Sequence, residues 1–81
     1  MEKIIVYSTQ SCHFCKEVKE FLDKNKITYT LIDVGTDASK RREMIEKSNQ
    51  MGVPVITVGE EVVVGFNKSK LEELLKIKEH N

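Results

Sequence analysis

An α/β sandwich is the fold class this sequence predicts, and three observations predict it. Short β-branched runs alternate with segments of helical apolar spacing, the order reads β-α-β-α-β-β-α, and the last two runs are joined by Gly59-Glu60, a two-residue turn pattern. Two strands joined across a helix should lie parallel with a right-handed crossover, whereas a two-residue connection makes an antiparallel hairpin. The expected product is a four-stranded mixed sheet with helices on both faces.

Each element has its own reason. Residues 3–8 carry Ile4, Ile5, Val6 and Tyr7, a buried strand. From Cys12 to about Asn25, the spacing of Phe14, Val18, Phe21 and Leu22 is helical, with lysines and glutamates opposite. Tyr29 to Val34 reads as the second strand. A second helix runs from Asp37 or Ser39 to about Asn49, weakly apolar through Met44, Ile45 and Ser48. Val55–Val58 and Val62–Val64 form the hairpin. The last helix starts near Asn67 or Ser69, where Ser69 and Glu72 have capping-box spacing, and its apolar face is Leu71, Leu74, Leu75 and Ile77.

Composition narrows the function. Eighty-one residues suit one domain, expected over 1–81, and 13 basic residues balance 13 acidic ones. Bulk charge points to neither nucleic acid nor a membrane surface. The apolar run Ile4-Ile5-Val6 is too short for a signal core or a spanning helix, so a cytoplasmic location is the expectation.

The chemistry concentrates at Cys12-His13-Phe14-Cys15, which holds the only two cysteines. In a reducing compartment a lone pair is usually transient and catalytic rather than a staple. Residues i and i+3 of a helix place their Cβ atoms roughly 5–6 Å apart. A disulfide wants about 3.5–4.5 Å. A non-helical capping conformation at Cys12 closes that gap. It also turns the Cys12 sulfur toward unpaired N–H groups and the positive helix end, which lowers its thiol pKa. Cys15, one turn further in, keeps a higher one. Cys12 is then the attacking thiol and Cys15 the resolving one. Structural zinc needs four ligands, and the chain adds only His13 and His80 to the two thiols, so no metal site is expected.

With these cysteines after the first strand, Val53-Pro54 opening the hairpin and Gly65-Phe66 closing it, the chain resembles the glutaredoxin family of the thioredoxin fold. The resemblance spans essentially the whole chain and is most specific at Tyr7-Ser8, Cys12, Cys15, Lys19, Val53-Pro54 and Gly65-Phe66. It implies a thiol–disulfide oxidoreductase working through a Cys12 mixed disulfide, resolved by Cys15 or by glutathione. Glutathione is the implied co-substrate, with no tightly bound cofactor. Substrates are protein or glutathione mixed disulfides, and the protein is a monomer. The resemblance also implies that Pro54 is a cis-proline packed against the cysteines, leaving the Val53 backbone open to a substrate. An ordinary trans proline opening an edge strand is the alternative.

The departures from the family pattern are specific. His13 and Phe14 replace Pro and Tyr between the cysteines, and Thr9 replaces a common Lys. The stretch that usually holds the γ-glutamyl end of glutathione is here Val64-Gly65-Phe66-Asn67-Lys68, with one glycine and both acids replaced. A cation there repels an ammonium group. This stretch is similar to the small glutaredoxin-like redoxins that serve ribonucleotide reductase and draw electrons from thioredoxin reductase, the alternative reading. A non-enzymatic metal- or Fe–S-bridged dimer is a third, and the missing Gly-Phe-Ser after Cys12 counts against it. Thr9, Val53, Pro54, Gly65, Phe66 and Asn67 are the expected substrate- or glutathione-binding positions. His13 and Phe14 are the expected tuning positions: a charged His13 stabilises the thiolate, and Phe14 offers an exposed ring to the substrate. Lys40, Arg41 and Arg42 at the start of the second helix oppose its dipole and form either an anion site or a solvated face.

Overall fold

The computed structural model describes residues 3–75, so Ile77 and His80 lie outside the described residues. Along it run β1 (Ile4–Ser8), α1 (His13–Lys24), β2 (Thr30–Asp33), α2 (Ala38–Ser48), β3 (Val55–Val58), β4 (Glu61–Val64) and α3 (Lys68–Leu75). The strands form one sheet in the order β2-β1-β3-β4. β1 and β2 pair in parallel, and β3 is antiparallel to both β1 and β4. That is the expected mixed α/β topology.

Alternation along the strands separates two apolar layers. Ile4 and Val6 of β1, Ile56 and Val58 of β3 and Val63 of β4 pack with Val18 and Leu22 of α1 and Leu71 of α3. On the opposite face Tyr7 and Val55 meet Val34, which follows β2, and Met44 of α2, with Ile5, Ile45 and Val62 at the margin. α1 and α3 therefore share one face and α2 covers the other.

α2 buries only Met44, too little to fix it by apolar packing. Polar contacts complete its attachment. The Tyr7 hydroxyl donates to a Glu43 carboxylate oxygen at 2.5 Å, and Arg41 Nε donates to the Val34 carbonyl at 3.1 Å. Asp37 caps the helix by accepting from the Lys40 N–H at 3.1 Å, and Asn49 ends it in the left-handed region at φ 60°. Lys40 pairs with Glu43. Two of the three cations at this helix start are thus engaged in holding the helix to the sheet or to itself.

Several element boundaries differ from the sequence reading by a residue or two. β2 is one residue shorter at each end. β4 begins at Glu61 because the register pairs Val58 with Glu61. Gly59, at φ 61°, takes the left-handed turn conformation that lets the two-residue connection close. At α3 the cap is Asn67, whose Oδ1 accepts from the Lys70 N–H at 3.1 Å. The helix opens at Lys68, which puts Ser69 inside the first turn rather than at the cap of a Ser69–Glu72 box.

Candidate active site

Strand register gathers the candidate residues at one end of the sheet. Ser8 ends β1 opposite Asp33, and Tyr7 pairs with Val55, which sets Pro54 level with Ser8. Val55 pairs with Val64, and the Gly65 N–H donates to the Pro54 carbonyl at 2.8 Å. The turn from Thr9 to Cys12, the Val53-Pro54 segment and Gly65-Phe66-Asn67 all therefore leave the sheet from this end. Thr9 lies against the turn after β2: a Cβ built on Gly35 would approach its γ-methyl to 3.5 Å.

Cys12 is the N-cap of α1, with extended backbone at φ −86° and ψ 116°. Its Sγ accepts from the Cys15 N–H at 3.1 Å. A sulfur so placed sits among the unpaired donors that open the helix, where negative charge is favoured. Cys12 and Cys15 are disulfide-bonded, with Cα atoms 5.2 Å apart. Cys12 is half-buried, while Cys15 is fully buried beside Val18 on the helix's inner side. An incoming thiol or disulfide therefore meets one sulfur of the pair and not the other. Such a pair accepts two electrons by opening and returns them by closing.

The remaining expected positions divide by what they touch. The Val53–Pro54 peptide bond is cis, and the Pro54 side chain is fully buried. Gly65 has φ 74°, a conformation costly for residues with a Cβ. Phe66 turns inward and meets Phe21 edge-on at 5.9 Å between ring centroids. The Asn67 side chain is occupied in capping α3. Phe14 is 57 % exposed, as its position between the cysteines suggested.

Two features escaped the sequence reading. His13 Nε2 lies 2.8 Å from Glu17 Oε2, one turn along α1, and the imidazole meets the Phe14 ring edge-on at 5.6 Å. The i,i+4 spacing of His13 and Glu17 was the available signal. Met51, 74 % exposed just before Val53, carried no such pattern.

The fold and the site define a class: a thioredoxin-fold protein whose redox-capable cysteine pair opens a helix at one end of a mixed sheet. Comparison with known proteins agrees. The Glutaredoxin family model matches residues 4–63. A glutaredoxin-like 8.6 kDa protein from the rubredoxin operon of Clostridium pasteurianum is 40% identical over 73 residues, covering 90% of this chain and 97% of that protein. The glutaredoxin-like protein NrdH of Lactococcus lactis is 34% identical over 74 residues, covering 88% and 97%. The crystal structure of a glutaredoxin from Archaeoglobus fulgidus superposes with a TM-score of 0.86 at 26% identity, covering 94% of this chain and 88% of that one. The chain belongs to the glutaredoxin family and is a thiol–disulfide oxidoreductase. Among the described residues no helix is long and apolar enough to cross a membrane.

Proposed function

We propose that this protein reduces disulfides by dithiol exchange with Cys12 as nucleophile and Cys15 as resolving thiol. The observation that carries it is the Cys12 sulfur at the helix cap, accepting from the Cys15 N–H while half-open to solvent. In the first step the Cys12 thiolate attacks a substrate disulfide, forming a mixed disulfide and expelling one substrate thiolate. Cys15 then attacks Cys12 Sγ, expelling the second substrate thiolate and leaving Cys12 and Cys15 joined. Two electrons pass to the substrate, and a reductant returns them.

The substrate class is a protein mixed disulfide, or glutathione's, met at the sheet end bearing Thr9, Val53-Pro54 and Gly65. Exposed Phe14, Met51 and Val64 at this end favour a partner with apolar surface of its own. His13 and Phe14 adjust the pair's reactivity, and the protein acts as a monomer in a reducing cytoplasm.

For the reductant, glutathione is the co-substrate the family implies, but the start of α3 favours a protein donor of the thioredoxin-reductase kind. α3 has no acidic residue in its first turn, Lys68 is exposed there, and Asn67 has its side-chain oxygen committed to the cap. None of these offers an anion to the ammonium of a γ-glutamyl group. A redoxin fed in this way would pass its electrons to an enzyme such as ribonucleotide reductase. The deciding measurement offers the oxidised protein either NADPH with thioredoxin reductase or NADPH with glutathione and its reductase, and follows recovery of thiols. Faster recovery with thioredoxin reductase is expected; faster recovery with glutathione overturns the choice of reductant. Cys12→Ser should abolish turnover, and Cys15→Ser should accumulate the mixed disulfide. Full activity of Cys12→Ser would refute the assigned roles.

A further inference from the structure

We infer that Glu17 is a positioning residue for the redox pair: its carboxylate ties the His13 imidazole to the flank of α1 and so limits the support that the ring gives to the Cys12 sulfur. This inference rests on the reading of Cys12 as the nucleophile and deepens it. His13 is the first residue of α1, directly after the Cys12 cap. An imidazole there has a thiolate at the cap as a near neighbour along the chain. Its Nε2 reaches Glu17 Oε2 at 2.8 Å, four residues on, and its ring rests edge-on against Phe14. Residues i and i+4 share one face of a helix, so the pair fixes the imidazole on the flank of α1 that carries Glu17.

Two consequences have the same sign. The pairing commits Nε2 of the imidazole to Glu17, and the Glu17 carboxylate offsets whatever positive charge the ring carries. Both leave the Cys12 thiolate with less cationic support than His13 alone would supply. A less stabilised thiolate means a less stabilised dithiol, so the dithiol is the stronger reductant in exchange. Removing the carboxylate frees the ring to approach Cys12. Both side chains are substantially exposed, at 75% and 37%, so the effect is that of a solvated charge pair. A pair of this kind corresponds to about a twofold change in an equilibrium constant, and added salt weakens it.

The test uses the full chain equilibrated with dithiothreitol in its reduced and oxidised forms, the dithiol fraction being read by alkylation and mass. Thiolate absorbance against pH is measured alongside. Glu17→Gln keeps the side chain's size and removes its charge. It should shift the equilibrium about twofold toward the dithiol and move the Cys12 thiolate titration to lower pH. Glu17→Ala should do the same. In a His13→Ala background the Glu17→Gln shift should vanish. No shift in the single variants, a shift toward the disulfide, or an equal shift without His13 would each overturn the inference. Failure of the unmodified protein to form or exchange its disulfide would instead strike the underlying reading of Cys12 and Cys15.

Discussion

Replacing Tyr7 by Phe isolates the polar contact that holds α2 to the sheet. The Tyr7 ring is fully buried, and its hydroxyl donates to Glu43 across 36 residues of chain. Phenylalanine keeps the ring packing and removes only that donor. A hydrogen bond to a charged group contributes about 1.5–3 kcal/mol. Glu43 is about one-third exposed, so water and Lys40 at 3.4 Å recover part of the loss for its carboxylate. The expected net cost is about 1–2 kcal/mol, a fall in Tm of roughly 5–12 °C for a domain of this size. The contact also has a pH signature. The Tyr7 hydrogen bond, together with Lys40 and Lys47, holds the Glu43 carboxyl below the usual carboxylate range despite its partial desolvation. Its contribution is therefore present above the ordinary carboxylate pKa and is lost as pH falls through the lowered one. Burial, then the Glu43 hydrogen bond and charge, push the Tyr7 hydroxyl well above its ordinary range. That contribution is present below the ordinary tyrosine pKa of about 10 and fades as pH rises toward the shifted one. Urea unfolding followed by far-UV circular dichroism, from pH 3 to 10, measures the difference between the two proteins. It should be largest near neutrality and shrink in acid. A difference below about 0.5 kcal/mol at pH 7, or one unchanged down to pH 3, would refute the reasoning.

Other expectations concern the opposite end of the chain. Gly65→Ala meets nothing within 4 Å, so its cost comes from φ 74° alone. About 1–2 kcal/mol should be lost in urea unfolding, and an unchanged midpoint would show that the backbone relaxes there. Lys68→Asp puts a carboxylate in the first turn of α3, where the helix dipole favours it by about 0.3–1 kcal/mol. Glutathione-supported turnover should rise several-fold through a lower KM, and an unchanged KM would remove the argument against glutathione.

Much of this protein could be read along the chain because its signals are local. The helical spacing of Val18 and Leu22, the β-branched run Val55–Val58 and Gly59-Glu60 at the hairpin each depend on neighbours a few residues away. So does the Cys12 cap, since a thiol at a helix start is a matter of four residues. Less legible was α2, whose single buried residue Met44 gives a faint apolar face. Its attachment depends on Tyr7, on a different element. The start of α3 was also ambiguous, because Asn67 and Ser69 both have capping side chains and only the path of the chain after Gly65 chooses between them.

Sequence by itself therefore determined the element order, the mixed sheet and the pair Cys12–Cys15, all consequences of short-range periodicity and chain connection. Tertiary structure alone decided what surrounds the pair. Strand register put Pro54 level with Ser8 and tied Gly65 to it, burial separated the open Cys12 from the enclosed Cys15, and rotamers turned His13 toward Glu17 and Phe66 toward Phe21. Those outcomes depend on distances between residues remote in sequence or on one side-chain orientation among several. No local pattern encodes either.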